Sequence, residues 1–360
     1  MVQAPSYDGR GLVNLVAEIE HRLTGTSAWS RLDPEIGQAI PDADTYVLVL
    51  FDGLGVTQLE HERATSLAGA MVDSLEAPFP TTTSVSLSTI ATGLPPSKHG
   101  QVAHLTWMED LGQVVNCLKW VNLGGEAVHY EYGSVLPTPN LWERLRSAGI
   151  EPITVQPGDF SASPLTRVLY RGARFEGIWD TEELATATAQ LAREPGRLVF
   201  AYFPLVDVAG HVYGLASDEF SDAMSTAVRV WEQISASLPH GAALLGTSDH
   251  GLVEFSEANK LIIRDSRFDD LRLAGDTRGV HMWAGDELIS DFAAVTDGRL
   301  ADPSALIGPG PTQSALARLG RRLVLAPNDK VIIPRGFDKR LRCYHGGLTP
   351  DEVHIPLLVG

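Results

Sequence analysis

Two kinds of hydrophobic pattern alternate along the chain. Residues 12–23 place Leu12, Leu15, Val16, Ile19 and Leu23 on one face of a helix, at spacings of three and four. Tyr46–Phe51 is instead an unbroken apolar run that stops abruptly at Asp52-Gly53-Leu54-Gly55. A short run with no polar face predicts a strand buried on both sides, as in a parallel sheet. Two further runs end in the same way: Leu198–Phe203 leads to Asp207, and Ala242–Gly246 leads to Asp249-His250.

Helices are predicted between these strands. Residues 139–148 read as one, followed by a strand near Pro152–Val155. Ser217 fits an N-cap, with Asp218 and Glu219 in the first turn where the helix dipole favours them. Phe220, Met224, Ala227, Trp231, Ile234 and Leu238 then form a single apolar stripe, which marks core. Strands alternating with helices predict an α/β fold, with a central, mainly parallel sheet and helices on both faces. Sites in such sheets form at the carboxyl ends of the strands, so the three Asp-bearing ends are expected on one edge. Residues 254–340 break the rhythm with short runs, the turn Gly308-Pro309-Gly310-Pro311 and clustered Arg. They are expected to form a small insertion or cap subdomain, with 1–253 and 341–360 as the core.

Composition narrows the partners. The 360 residues are 44% hydrophobic and 20% charged, enough for a sizeable core. The net charge of -17 argues against a nucleic-acid polymer, whose phosphates are held by Lys and Arg clusters. A small phosphorylated substrate stays compatible, because bound metal ions can outweigh a local acidic field. Two cysteines, Cys117 and Cys343, make no disulfide framework. Cys343 lies two residues before His345, and packing is expected of it rather than ligation. Residues 1–8 lack a basic region followed by an apolar one, and no apolar stretch is long enough to span a bilayer. A cytoplasmic protein without membrane association is expected; the oligomeric state is left open.

Five short segments carry candidate chemistry. Asp52 sits at a strand end, where a helix cap is the alternative role. Thr81-Thr82-Thr83 precedes a stretch of helix character, and a hydroxyl at a helix N-terminus meets N–H groups that welcome an anion. Asp207 and His211 share one face if residues 207–211 are helical. Asp249-His250-Gly251 can aim two side chains at one ion if the backbone turns sharply, which Gly251 would permit. His345 gains weight only from this company. Three carboxylates, three imidazoles and an activated hydroxyl suit a two-metal displacement at phosphorus. No G-x-S-x-G or P-loop motif offers another chemistry.

In order and wording, these motifs resemble the type I phosphodiesterase/nucleotide pyrophosphatase family of the alkaline phosphatase superfamily, from about Tyr46 to Val359. The resemblance implies an alkaline-phosphatase-like α/β sandwich holding two divalent ions, expected to be zinc. Counting back from Ala91-Thr92-Gly93-Leu94 and His99-Gly100 sets the family's nucleophile on Thr83, with Thr81 and Thr82 as rivals. It implies that Asp52, Asp249 and His250 hold the ion that carries Thr83, and that Asp207, His211 and His345 hold the other. A phosphothreonine intermediate follows. One departure stands out: eukaryotic members of the family carry an Asn three residues after the nucleophile. Ser86 takes that place here as the candidate substrate contact, since a hydroxyl can still donate to a phosphoryl oxygen, although a preference for nucleotides no longer follows. No cation follows Thr83 until Lys98, which favours phosphodiesters or pyrophosphate bonds over the more highly charged monoesters. Arg278, Arg335 and Lys339 would reverse that preference if they reach the site. A phosphomonoesterase and a non-catalytic metal-binding relative are the alternatives.

Overall fold

The computed structural model describes residues 3–131 and 134–360; Met1 and Val2, the first residues of the segment read for a leader, lie outside the described residues. Seven strands form the central sheet: β1 (Thr45–Phe51), β2 (Met71–Glu76), β3 (Glu151–Pro157), β4 (Arg174–Ile178), β5 (Arg197–Phe203), β6 (Ala242–Thr247) and β7 (His354–Val359). Their order is β2-β7-β6-β1-β5-β3-β4. β6, β1, β5, β3 and β4 are mutually parallel, whereas β7 runs antiparallel to both its neighbours.

The apolar runs are strands because both faces of the sheet are covered. All seven residues of β1 are buried. Tyr46, Leu48 and Leu50 pack with Leu12, Leu15, Val16 and Ile19 of α1 (Leu12–Thr24), with Leu87 and Ile90 of α2 (Thr83–Thr92), and with Trp142 of α3 (Leu141–Ser147). Val47, Val49 and Phe51 face the other way. They pack with Leu184 of α4 (Thr181–Leu191), Val206 of α5 (Leu205–Tyr213), and Phe220, Met224 and Trp231 of α6 (Asp218–Ser237). The period of two along the strand thus assigns alternate residues to two separate cores. Helix starts follow local chemistry: Ser217 accepts from the Phe220 amide at 3.1 Å, and Asn140 accepts from Glu143 at 2.9 Å.

A second sheet has seven short antiparallel strands. Arg299–Ala301, Arg322–Leu325, Gly279–Trp283 and Arg272–Asp276 continue, through the pair Gly275–Leu105, into Leu105–Met108, Gln113–Asn116 and Val121–Asn122. Strands from within 254–340 are therefore hydrogen-bonded to the segment 105–122. The helix Asp286–Thr296 covers them through Ile289 and Phe292. Among the described residues, no helix is long and apolar enough to cross a membrane.

Candidate metal centre

β1, β5 and β6 are in register, with Phe51 beside Phe203 and Leu50 beside Thr247, so their carboxyl ends coincide. The loops that follow lock together. The Asp52 amide donates to the Phe203 carbonyl at 2.9 Å, and the Asp207 amide donates to the Asp52 carbonyl at 3.0 Å. Gly53 has φ 76°, and a Cβ on it would lie 2.9 Å from Asp207 Cα, so only glycine lets these two loops approach. Its amide also donates to Asp249 Oδ1 at 3.0 Å. Gly251 serves differently from the sharp turn expected of it. Its backbone is not left-handed; a Cβ there would lie 1.9 Å from the Asp351 carbonyl oxygen.

The structure brings the six expected ligands together. Asp207 and His211 lie one turn apart in α5, with Nε2 3.2 Å from Oδ1. His345 Nε2 is 3.2 Å from His211 Nε2 and 3.9 Å from Asp207 Oδ1. His250 Nε2 is 3.2 Å from Asp249 Oδ2 and 3.6 Å from Asp52 Oδ1, and its ring stacks on His345 at 3.6 Å. Asp52, Asp249 and His250 converge as one group, and His250 also converges with Asp207 and His345. The two groups differ in depth. Side chains of the first are 0–4% exposed, whereas Asp207, His211 and His345 are 14, 17 and 12% exposed.

Hydrogen bonding shows what this cluster suits. Nδ1 of His211 faces the Cys343 carbonyl at 2.7 Å, that of His345 the Thr81 carbonyl at 2.8 Å, and that of His250 the Gly251 carbonyl at 3.2 Å. A carbonyl only accepts, so each Nδ1 carries a proton, and in the neutral ring, the form that binds a metal, each Nε2 turns a lone pair inward. Asp52 Oδ1, Asp207 Oδ1 and Asp249 Oδ2 are buried without a hydrogen-bond partner. Burial and the charges of Asp249 and Asp207 push the Asp52 carboxyl well above the usual range. Burial, His250 and His211 hold the His345 imidazole well below its own. Inward lone pairs on nitrogen, facing partnerless carboxylate oxygens, fit divalent cations and leave a protein-only cluster unsatisfied.

The three threonines separate clearly. Thr81 Oγ1 donates to the Gly347 carbonyl at 3.0 Å and accepts from the Gly346 amide at 3.1 Å, so its proton and one lone pair are engaged within the fold. Thr82 is the N-cap of α2, and its side chain turns to Asp276. Thr83 is the first residue of the helix, one step later than the position just before the helix, and its Oγ1 lies 3.2 Å from His250 Nε2. The Val85 and Ser86 amides bond to the Thr82 carbonyl, while those of Thr83 and Ser84 take no backbone acceptor. Ser86 is not brought to the open site: it is fully buried, and its hydroxyl donates to the Asp249 carbonyl at 2.7 Å.

A cavity of about 850 Å³ opens over the cluster, lined by Thr82, Thr83, Asp207, His211 and His345. Sequence reasoning missed three residues around the site. Tyr202 hydrogen-bonds Asp52 Oδ2; it is the one hydroxyl-bearing residue of β5, which was a visible signal. His104 lines the cavity with Nε2 3.1 Å from Asn116 Nδ2, and its amide donates to Asp276 Oδ2 at 3.4 Å. Asp276, pushed up to about 7 by burial, is the third. Arg335 and Lys339 line the cavity, but Arg278 is buried against Glu352 at 3.1 Å. Cys343 is buried and reaches the site through its carbonyl alone.

A profile of the type I phosphodiesterase/nucleotide pyrophosphatase family matches residues 46–302. No curated protein sequence matches significantly. Among solved structures, the chain resembles murine ectonucleotide pyrophosphatase/phosphodiesterase 5, with a TM-score of 0.64, 16% identity and 87% of each chain covered. An inactive variant of that protein, solved in complex with AMP, matches with a TM-score of 0.61, 16% identity and the same coverage. Phosphonoacetate hydrolase from Sinorhizobium meliloti 1021, in complex with phosphonoformate, matches with a TM-score of 0.65 and 16% identity, over 89% of this chain and 91% of that one.

Proposed function

Since the chain belongs to the type I phosphodiesterase/nucleotide pyrophosphatase family, metal-dependent phosphoester hydrolases of the alkaline phosphatase superfamily, we propose that it cleaves phosphodiester or pyrophosphate bonds through Thr83. The observation that carries this reading is the set of partnerless carboxylate oxygens around His250, whose Nε2 faces Thr83 Oγ1. Asp52, Asp249 and His250 would hold one divalent ion with Thr83, and Asp207, His211 and His345 a second; zinc suits the mixed nitrogen and oxygen donors. Bound there, such ions lower the pKa of a hydroxyl and neutralise the phosphoryl oxygens.

The chain's own residues do the rest. Thr83 gives up its hydroxyl proton to solvent, and Oγ1 forms a bond to phosphorus as the leaving oxygen departs with its electron pair and is protonated from solvent. The amides of Thr83 and Ser84, which take no backbone acceptor at the start of α2, would donate to the phosphoryl oxygens. Water then loses a proton and attacks phosphorus, and Thr83 Oγ1 leaves with the bonding pair and takes up a proton, regenerating the hydroxyl. Tyr202 fixes Asp52, and the carbonyls of Thr81, Cys343 and Gly251 fix the three imidazoles.

One observation favours a phosphomonoesterase instead: Arg335 and Lys339 do line the cavity. The kcat/KM values for an aryl phosphodiester and its matching monoester decide between the two. Faster cleavage of the diester is expected; faster cleavage of the monoester overturns the preference. Elemental analysis should find about two ions per chain. Active protein without any bound transition metal would end the two-metal reading.

A further inference from the structure

The cavity carries more positive charge at its outer segment than hydrolysis of one phosphodiester requires. Lys119, Arg335, Lys339 and Arg340 all line it, in a chain of net charge -17. Most basic residues elsewhere have a carboxylate partner, and so does Arg340, which pairs with Asp338 at 2.7 Å. Among the described residues, Lys119, Arg335 and Lys339 have no carboxylate oxygen within 4.0 Å, because the nearby Asp338 is taken by Arg340. The two segments that carry them meet: a Cβ on Gly336 would lie 3.5 Å from Leu123. Arg340, with a smaller contribution from Lys119, holds the Asp338 carboxyl down to about 2. The acidic residues lining the remainder of the cavity lie on other segments. Asp276 sits inward beside Thr82, and Asp269 follows the short turn Ser266–Phe268. The same cavity lining includes apolar side chains, Ile262, Ile333 and Phe337 among them.

Resting on the phosphodiesterase reading, we infer that the substrate carries a second anionic group, a carboxylate or phosphate, set apart from the scissile phosphorus by an apolar or aromatic span. The unpaired cations recognise that group, and the ligand cluster takes the phosphoryl. A cavity of about 850 Å³ accommodates such a molecule. These cations are exposed and stay partly solvated when they meet an anion, so pairing them with substrate adds selectivity and speeds encounter more than it adds affinity.

The test uses two probes that differ by one charge: the p-nitrophenyl phosphodiester of 6-hydroxyhexanoate, and the methyl ester of that compound. Dissociation constants are measured by calorimetry on metal-loaded Thr83→Ala protein, and kcat/KM on the unaltered enzyme. At low ionic strength, binding of the carboxylate about ten-fold tighter than the methyl ester is expected, falling toward equality as salt is added. In protein that also carries Arg335→Gln and Lys339→Gln, the ratio should fall to within about two-fold of one. Both residues are exposed, so these changes should leave the fold intact. Equal binding of the two probes, or an unchanged ratio in the double substitution, overturns the inference. Turnover of neither probe by unaltered enzyme, with the binding preference present, would overturn the phosphodiesterase reading and leave the anion site standing.

Discussion

Each residue at the centre is constrained by what its neighbours can still donate or accept. Thr81 has committed its hydroxyl proton and one lone pair to Gly347 and Gly346, whereas Thr83 faces His250. Thr83→Ala should therefore keep fold and metal and lose turnover by about three orders of magnitude or more. Thr81→Ala should unfold at lower denaturant, by about 1–3 kcal/mol, because the Gly346 amide loses its acceptor, and should keep more rate than Thr83→Ala. A fully active Thr83→Ala alongside an inactive Thr82→Ala would shift the nucleophile by one residue. Gly53→Ala tests the approach of the loops. A side chain at φ 76° costs about 1–2 kcal/mol, and the added Cβ also meets Asp207 Cα at 2.9 Å. Urea unfolding should show at least that loss, with weaker metal binding because Asp52 and Asp207 are forced apart.

Among the elements, the contact between α2 and the loop after β6 sets the aim of the nucleophile. Ser86 ties them through the Asp249 carbonyl and is a positioning residue in this view. Ser86→Ala should cost about 1 kcal/mol and lower kcat. Ser88→Ala, which removes only a bond to the Ser84 carbonyl within the helix, should leave kcat unchanged. The displaced role of Ser86 shows where sequence reasoning stops: spacing from Thr83 gives distance along the helix, whereas the partner of the hydroxyl comes from a loop 163 residues away. What was legible had strong periodicity. α1, β1, β5, β6 and α6 each carry a long apolar run or stripe, and the ligands follow from strands that share one edge. The strands Leu105–Met108 and Gln113–Asn116 have four residues each, too few to fix a period, so their sheet with 272–283 was invisible. β7 went unread for a related reason: Pro356 interrupts an otherwise strand-like run, and antiparallel insertion between β2 and β6 depends on tertiary partners.

Taken as a whole, the molecule holds buried imidazoles that play no part in the centre. Burial pulls His99 down to about 3 and His281 to about 4. In each, Nδ1 already accepts an N–H, from Gln101 at 3.1 Å and Gly320 at 3.2 Å, so a proton there would face a donor. An unfolded histidine takes a proton near pH 6.5 while the folded ones do not, so stability from this source is complete above pH 6.5 and lost as pH falls. Between pH 7 and 5, each of the two should contribute a loss of about 2 kcal/mol, while the raised carboxyls of Asp276 and Asp52 work in the opposite direction in metal-free protein. The isolating measurement is the difference between chains: His281→Gln should lose about 2 kcal/mol less than the unaltered chain between pH 7 and 5, and an identical pH dependence of the urea midpoint in the two would refute this. A different consequence follows from the unequal depth of the two ligand groups. The group of Asp52, Asp249 and His250 is closed off at 0–4% exposure, and His345 stacks across its imidazole, whereas the outer group opens to the cavity. An ion in the inner position can leave only after the outer one, or after the loops open. The two proposed ions should therefore exchange with solvent on separate clocks, and a chelator should draw them out in two phases, the half-emptied protein persisting in between.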